Sequence, residues 1–484
     1  MDLGTLSTRN SGLEVIYMIE VEEKEKLSGI SPILEIRNLD VSFFTRRGEV
    51  KAIRNLNFAL NKGEILGIVG ESGCGKSVTS LSIVDLLPQG IGVIRNGEII
   101  FEGRNLTDLY KKEFKIVHDK KVKLNRLGMR KIQNKIQSAR GDISIIFQDP
   151  LTSLDPLYKI KAQMLESIIY NNYKTMARRL LDKNKIRSSD SSMLSKLSSE
   201  STTDFLNDVE AKYGKDGFYQ ELLYIINMNY SEYDKKIRIL KAINSSDLSS
   251  SDINKLESIL TKPKVYRRPR NSKKKSLFQI KDPIVREGLL FSIELFDFIN
   301  LPSPEKILDS YPHELSGGMK QRVMIALAVA NNPQIIIADE PTTALDVTTQ
   351  HQILYLLKNL NTKLGLSMIF ITHDLGVMSV MADRIAVMYA GNICEIGPTE
   401  TIFRSPRHPY TVGLLKCVPG ISQDEGKLYT IPGQVPDLIN PPHGCPFADR
   451  CSFAFETCFG ETPPMFFENG RGVSCWLYGG EKNE

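Results

Sequence analysis

Ile65-Leu66-Gly67-Ile68-Val69-Gly70-Glu71-Ser72-Gly73-Cys74-Gly75-Lys76-Ser77 is the stretch from which the fold can be read. Its first five residues form a short apolar run of the kind that a fully buried strand shows. Gly70 to Ser77 then fits G-x-x-x-x-G-K-[ST], and Val78 to Leu87 reads as a helix. Strand, glycine-rich loop and helix together are the setting in which this motif holds a nucleoside triphosphate. Glycine lets the backbone wrap close to phosphate oxygens, which then meet amide N–H groups and a helix N-terminus. Gly70, Ser72, Gly73, Cys74 and Gly75 supply the cradle. Lys76 reaches the β- and γ-phosphates, and Ser77 binds Mg²⁺. A glycine-rich turn with a chance lysine would explain the loop but not the strand and helix on either side of it.

Downstream, an apolar strand at Ile335 to Ala338 ends in Asp339-Glu340. An aspartate at a strand end is the expected holder of Mg²⁺, and Glu340 is placed to polarise an attacking water. Read by itself, the pair could simply open the turn at Pro341. A second apolar strand, Ser367 to Ile371, runs into Thr372-His373-Asp374. Helices alternate with these strands from Leu289 to Val380, a pattern that predicts a parallel α/β sheet. Leu315-Ser316-Gly317-Gly318-Met319-Lys320-Gln321 opens a helix running to about Ala330, and small residues at a helix start make a second anion site. Upstream, Leu34 to Arg37 and Val41 to Phe43 alternate apolar and polar residues as half-buried strands do.

The totals agree with such a protein. The chain has 484 residues, 41% hydrophobic and 25% charged, with a net charge of +5. That is enough for a sizeable core and more than one domain. The charge is small for this length and does not by itself argue for nucleic acid. No apolar run is long enough for a transmembrane helix. The N-terminus, with Glu20, Glu22, Glu23 and Glu25, lacks the basic start and apolar stretch of a signal peptide. A cytoplasmic chain that reaches a membrane only through partners is therefore expected.

In this order the motifs resemble those of the ABC ATPase family, whose signature is LSGGQ. Met319 stands here where the last residue of that signature is usually glutamine. The resemblance implies an α/β fold: an ABC-type P-loop nucleotide-binding domain with a RecA-like core, a helical subdomain and an irregular, cysteine-containing C-terminal domain. It implies that Phe43 stacks on adenine and that Gln148 senses Mg²⁺ and water. Asp346, in Ala344-Leu345-Asp346, would lie at a dimer interface, and His373 would act on the γ-phosphate. Ser316, Gly317 and Gly318 of one subunit would close over ATP on another. Glu340, His373 and Gln148 form the implied catalytic group, with Ser77, Gln148 and Asp339 around Mg²⁺.

Three stretches resemble the peptide-permease branch of the family. These are Asp149-Pro150-Leu151-Thr152-Ser153-Leu154-Asp155-Pro156, Tyr311-Pro312-His313-Glu314, and a tail with Ser405-Pro406-Arg407-His408-Pro409-Tyr410-Thr411 and Ile431-Pro432-Gly433. The implied role is the ATP-hydrolysing subunit of an oligopeptide or dipeptide importer at the cytoplasmic face of the membrane. Its partners would be a second, homologous ATPase, two transmembrane permeases and an extracellular peptide-binding protein, with no nucleic acid. Nickel or another small solute as cargo stays open, and a soluble ABC ATPase acting on nucleic acid is the competing class. The organisation expected is an extension at 1–31, an ATPase domain at 32–395 interrupted at about 171–280 by a Ser-rich and basic insertion, and a C-terminal domain at 396–484.

Cys445, Cys451, Cys458 and Cys475 crowd into that tail with spacing C-x5-C-x6-C-x16-C. Structural disulfides are not expected in a reducing cytosol. The spacing lacks the C-x2-C pairs of most zinc sites. Four thiolates suffice for a [4Fe–4S] cluster, which the resemblance also implies; Zn²⁺ and free thiols remain the alternatives. Cys74, inside the phosphate loop, is expected to react with a thiol reagent and to be protected by ATP.

Overall fold

In a computed structural model, β3 (Ile65–Val69) is buried at every residue, with β11 (Arg384–Tyr389) on one side and β10 (Ser367–Ile371) on the other, both parallel to it. Residues 32–88, 90–107, 115–117, 121–123, 142–168, 283–343, 345–418 and 430–479 are described. The extension at 1–31, most of the basic stretch at 111–140 and the insertion at 171–280 lie outside the described residues, as does Ala344. Contacts divide the chain into two units, one of residues 1–150 with 333–484 and one of 151–332.

The first unit is built on an eight-stranded sheet. From β10 the parallel order continues to β9 (Ile335–Asp339) and β8 (Ile143–Ile146). Strands buried on both faces read as continuous apolar runs rather than alternating ones, which is why β9 and β10 were legible. Beyond β11 the sheet turns antiparallel through β12 (Asn392–Pro398), β14 (Arg471–Val473) and β13 (Phe466–Glu468). A second, antiparallel sheet has the order β2-β1-β4-β5, from β1 (Leu34–Thr45), β2 (Gly48–Leu60), β4 (Gly92–Phe101) and β5 (Arg104–Asn105). The two stretches expected as separate strands at 34–37 and 41–43 are one strand, β1. Its pairing shifts register between Arg37 and Asp40, beside Asn38 in the left-handed region at φ 47. Leu34, Ile36, Leu39 and Val41 pack with Ile68, Ile335 and Ile369 in a core shared by both sheets. Each such side chain, fully withdrawn from water, contributes roughly 1.5–3 kcal/mol.

Helix α1 (Lys76–Ile83) starts two residues earlier than Val78 and ends well before Leu87. Gly75 is its N-cap, so the loop passes into the helix without a spacer, and Asp85 at φ 53 ends it.

The second unit carries α2 (Pro283–Phe298), α3 (Pro304–Asp309) and α4 (Gly317–Val329). Leu295, Phe296, Ile299, Leu301, Val323 and Ile325 are buried and give it an apolar core of its own.

The C-terminal residues are irregular, as expected, around a few short elements. Besides β13 and β14 they form α7 (Thr399–Arg404), α8 (Pro409–Lys416) and α9 (Glu456–Gly460), which follow α5 (Val347–Leu364) and α6 (Leu375–Met381) in the chain. Glu395 of β12, fully buried, anchors them. It pairs with Arg471 of β14 and accepts hydrogen bonds from the Arg407 and His408 amides at 2.9 and 3.0 Å. His408 caps α8: its Nδ1 accepts from the Tyr410 amide at 3.1 Å. Burial pushes this imidazole down to about 3, so it stays neutral, as accepting at Nδ1 requires.

Removing one member of a buried ion pair leaves the other charge uncompensated, at a cost of about 3–5 kcal/mol. Glu395→Ala should therefore lower the urea midpoint of the unit that carries β12 and β14. An unchanged midpoint would show that the pair does not hold the C-terminal strands.

Candidate functional site

The loop after β3 is shaped by close backbone approaches. Gly75 has φ 105, and a Cβ there would lie 2.9 Å from the Ala52 carbonyl oxygen, so only glycine fits. Lys76 turns back along the loop, and its Nζ donates to the carbonyls of Gly70 at 2.8 Å and Glu71 at 3.1 Å. The side chain is buried, and among the described residues no carboxylate stands within ion-pair distance of it. A buried cation balanced by carbonyl dipoles and the Cys74 sulfur, 3.9 Å away, is well matched to an incoming triphosphate.

The ends of β9 and β10 bring the remaining polar groups to this loop. Ser77 Oγ donates to Asp339 Oδ1 at 3.2 Å and Ser80 Oγ to Oδ2 at 3.3 Å. Burial raises the Asp339 carboxyl above its usual range, against the lowering effect of the two hydroxyls. A divalent cation beside Ser77 would offset that burial, and the hydroxyl and carboxylate are the hard oxygen donors that Mg²⁺ takes.

Glu340 gathers three side chains. Gln148 Nε2 donates to its Oε2 at 3.0 Å, Thr343 Oγ1 donates to the same oxygen at 3.0 Å, and His373 Nδ1 lies 3.3 Å from Oε1. Glu340 has φ 46, a left-handed conformation that is costly for a non-glycine residue. Its amide is nevertheless bonded to the Ile371 carbonyl at 2.9 Å, which fixes the carboxylate between β9 and β10. His373 is two-thirds exposed, whereas Glu340 is 15% exposed, so the histidine can move and the carboxylate is held. Thr343 was not singled out in the sequence, where it stands as an ordinary turn residue.

The other expected residues are placed as follows. Phe43 lies on β1, half-buried, against the core of the antiparallel sheet. The ring of Phe44 beside it is exposed, 4.8 Å beneath the Arg95 guanidinium. Asp346 is the N-cap of α5 and accepts from the Thr349 amide at 2.9 Å; that bond lowers its carboxyl below the usual range. In the second unit Ser316 caps α4, accepting from the Met319 amide at 3.3 Å, with Gly317 and Gly318 in the first turn. Ser316 and Gly317 are exposed, and no acidic residue occupies that first turn, so the positive end of the helix is open to an anion.

Cys74 departs from expectation. Its side chain is 1% exposed and packs in the core, and burial raises its thiol above the ordinary value. At the loop its Sγ faces inward and accepts from Lys76 Nζ at 3.9 Å, so a reactive thiol that ATP protects does not follow.

Cys445, Cys451, Cys458 and Cys475 line one cavity with His408, Phe447 and Phe453. Burial and the neighbouring thiols push Cys445 up to about 11, and burial does the same for Cys475. Thiolates are soft ligands of the kind that Zn²⁺ and iron–sulfur centres take. Among the described residues no three His, Cys, Asp or Glu side chains are grouped so as to hold a single metal ion. No described helix is long and apolar enough to cross a membrane.

The family model for ABC transporters matches residues 53–202 and 222–343, and that for the oligopeptide/dipeptide transporter C-terminal region matches 394–458. The chain is 37% identical to the oligopeptide transport ATP-binding protein OppD of Bacillus subtilis over 451 residues, 93% of this chain and 89% of that protein. It is 35% identical to the dipeptide transport ATP-binding protein DppD of Lactococcus lactis subsp. cremoris, covering 90% of this chain and 87% of that one. With the dipeptide transport ATP-binding protein DppD of Bacillus subtilis it shares 34% identity over 92% of this chain and 94% of that one.

In the folded chain, Cys74 and Cys394, both buried with raised thiol values, should resist N-ethylmaleimide with or without nucleotide and react only after denaturation. Mass spectrometry of labelled peptides checks this, and rapid native labelling of Cys74 would contradict its placement.

Proposed function

The chain belongs to the ABC transporter family, and from that premise we propose that it binds and hydrolyses ATP to energise import of oligopeptides or dipeptides through a membrane complex. The observation that carries the reading is the convergence of Gln148, Thr343 and His373 on Glu340, next to the Ser77–Asp339 pair and the loop that holds Lys76.

Lys76 and the loop amides bind the triphosphate, and Ser77 and Asp339 would hold Mg²⁺, which when bound neutralises charge between the β- and γ-phosphates. Glu340 orients the attacking water and polarises its O–H bond, with Gln148 and Thr343 fixing the carboxylate. His373, exposed and tethered among the described residues through Glu340, swings towards the γ-phosphate. The open N-terminus of α4, with Ser316, Gly317 and Gly318, fits the role of a clamp on ATP bound to a second subunit. Asp346 caps α5 at the same kind of interface, and Phe43 supports the adenine end. Closure of two such subunits is favoured by ATP only as far as ATP binds the closed state more tightly.

The partners in this reading are a second, homologous ATPase, two permeases with transmembrane spans and an extracellular peptide-binding protein. The chain then works at the cytoplasmic face of the membrane. Its organisation is the ATPase domain at 32–395, interrupted at about 171–280, with the C-terminal domain at 396–484. Cys445, Cys451, Cys458 and Cys475 would hold a [4Fe–4S] cluster, which when bound cross-links four points of a segment with little apolar core of its own. Zn²⁺ is the alternative, and metal and sulfide analysis of protein purified without air separates the two.

Glu340→Gln keeps the carboxamide bonds but loses the base, so hydrolysis should fall by at least about 100-fold while ATP stays bound and the dimer stays closed. Normal turnover by that variant would remove Glu340 from its role. Affinity capture of the tagged chain from solubilised membranes should bring down multi-span permeases and a second ATPase. Recovery of ribosomal or DNA-bound partners instead would overturn the transporter reading.

A further inference from the structure

Glu71 sits inside the phosphate loop, but its carboxylate is gripped by a residue from the far end of the chain. Arg450 Nη1 donates to Oε2 at 2.7 Å and Nη2 to Oε1 at 3.1 Å, a two-pronged, charge-assisted contact. The remaining donors of Arg450 are also used. Nε donates to the Pro432 carbonyl at 2.8 Å, and Nη1 also reaches the Tyr389 hydroxyl at 3.1 Å. The guanidinium lies 5.6 Å from the Tyr389 ring centre and 5.8 Å from that of Phe447, and the side chain is only 5% exposed. It is therefore fixed on every side before it meets Glu71.

A second strut reaches the same residue. The Glu71 amide donates to the hydroxyl of Tyr410, a fully buried residue of α8, at 2.9 Å. The Glu71 carbonyl in turn accepts from Lys76 Nζ. One residue thus joins the C-terminal region, through both its side chain and its amide, to the lysine that receives the phosphates. Most exposed ion pairs contribute little, but a pair with one partner buried and both prongs made holds its geometry. A loop already held in its binding conformation spares the ordering that nucleotide binding would otherwise cost.

We propose that Arg450 and Glu71 form a latch by which the C-terminal region sets the shape of the phosphate loop, making Arg450 a positioning residue for ATP. The proposal rests on the ATPase reading above and adds to it a task for the tail at the nucleotide site. The latch acts on nucleotide affinity rather than on the chemical step, because neither residue reaches Gln148, Glu340 or His373.

The test is fluorescent ATP-analogue titration with Mg²⁺ on the full chain, together with steady-state ATPase assays of the assembled complex. Arg450→Ala and Glu71→Gln should each raise the ATP Kd and KM by about tenfold, with kcat at saturating ATP retained. The double variant should be no worse than either single one, because both remove the same interaction. Arg450→Lys, which keeps the charge but not the fork, should fall between wild type and Arg450→Ala. Should Arg450→Ala fail to fold, Glu71→Gln, which leaves the tail's own residues intact, carries the test. Unchanged affinity in Glu71→Gln, with binding still abolished by Lys76→Ala, would sink the latch and leave the ATPase reading standing. Multiplying losses in the double variant would also sink it, since the residues would then act separately. ATP binding that Lys76→Ala leaves unweakened would overturn the ATPase reading and the latch with it.

Discussion

A buried ammonium held by carbonyl oxygens is the interaction on which the proposed nucleotide site depends. Lys76 must be withdrawn from bulk water to act strongly on a phosphate, yet it must not be neutralised by a carboxylate of its own. The loop meets both demands by folding Gly70 and Glu71 back over Nζ. That fold requires φ values open only to glycine at Gly73 and Gly75, and a strand buried on both faces to fix the loop's start. The central position of β3 and the start of α1 at Lys76 itself follow from the same need.

The acidic side of the site solves a different problem. Asp339 and Glu340 are neighbours in sequence, yet one is turned towards Ser77 and Ser80 and the other towards Gln148, Thr343 and His373. The left-handed backbone at Glu340 makes that divergence, and the parallel pairing of β9 with β10 holds it in place.

Much of this was legible because the decisive features are local. The phosphate loop, the apolar strands β9 and β10 and the helix after Ser316 each announce themselves within about a dozen residues. The misreadings have equally local causes. Asn38 and Asp85 adopt positive φ where nothing in composition demands it, so β1 appeared as two strands and α1 appeared to run too far. Cys74 looked accessible because its neighbours are loop residues, whereas its own side chain is turned into the core. What could not be read was pairing over long separations. Arg450 in a proline-rich tail carries no mark that points to Glu71, and Glu395 looks like any charged strand residue until Arg471 is found beside it.

The Arg450–Glu71 contact spans 379 residues, and the Tyr410 contact to the same residue spans 339. During synthesis the phosphate loop emerges early, while the groups that brace it are among the last to be made. At roughly 5–20 residues per second the loop waits on the order of 20–75 s for its partners. For most of that interval β3 also lacks both of its sheet neighbours, because β10 and β11 are made only about 300 residues after it. The antiparallel sheet of β1, β2, β4 and β5 is complete early, but β3 must wait for strands from the last quarter of the chain before its own edges are paired.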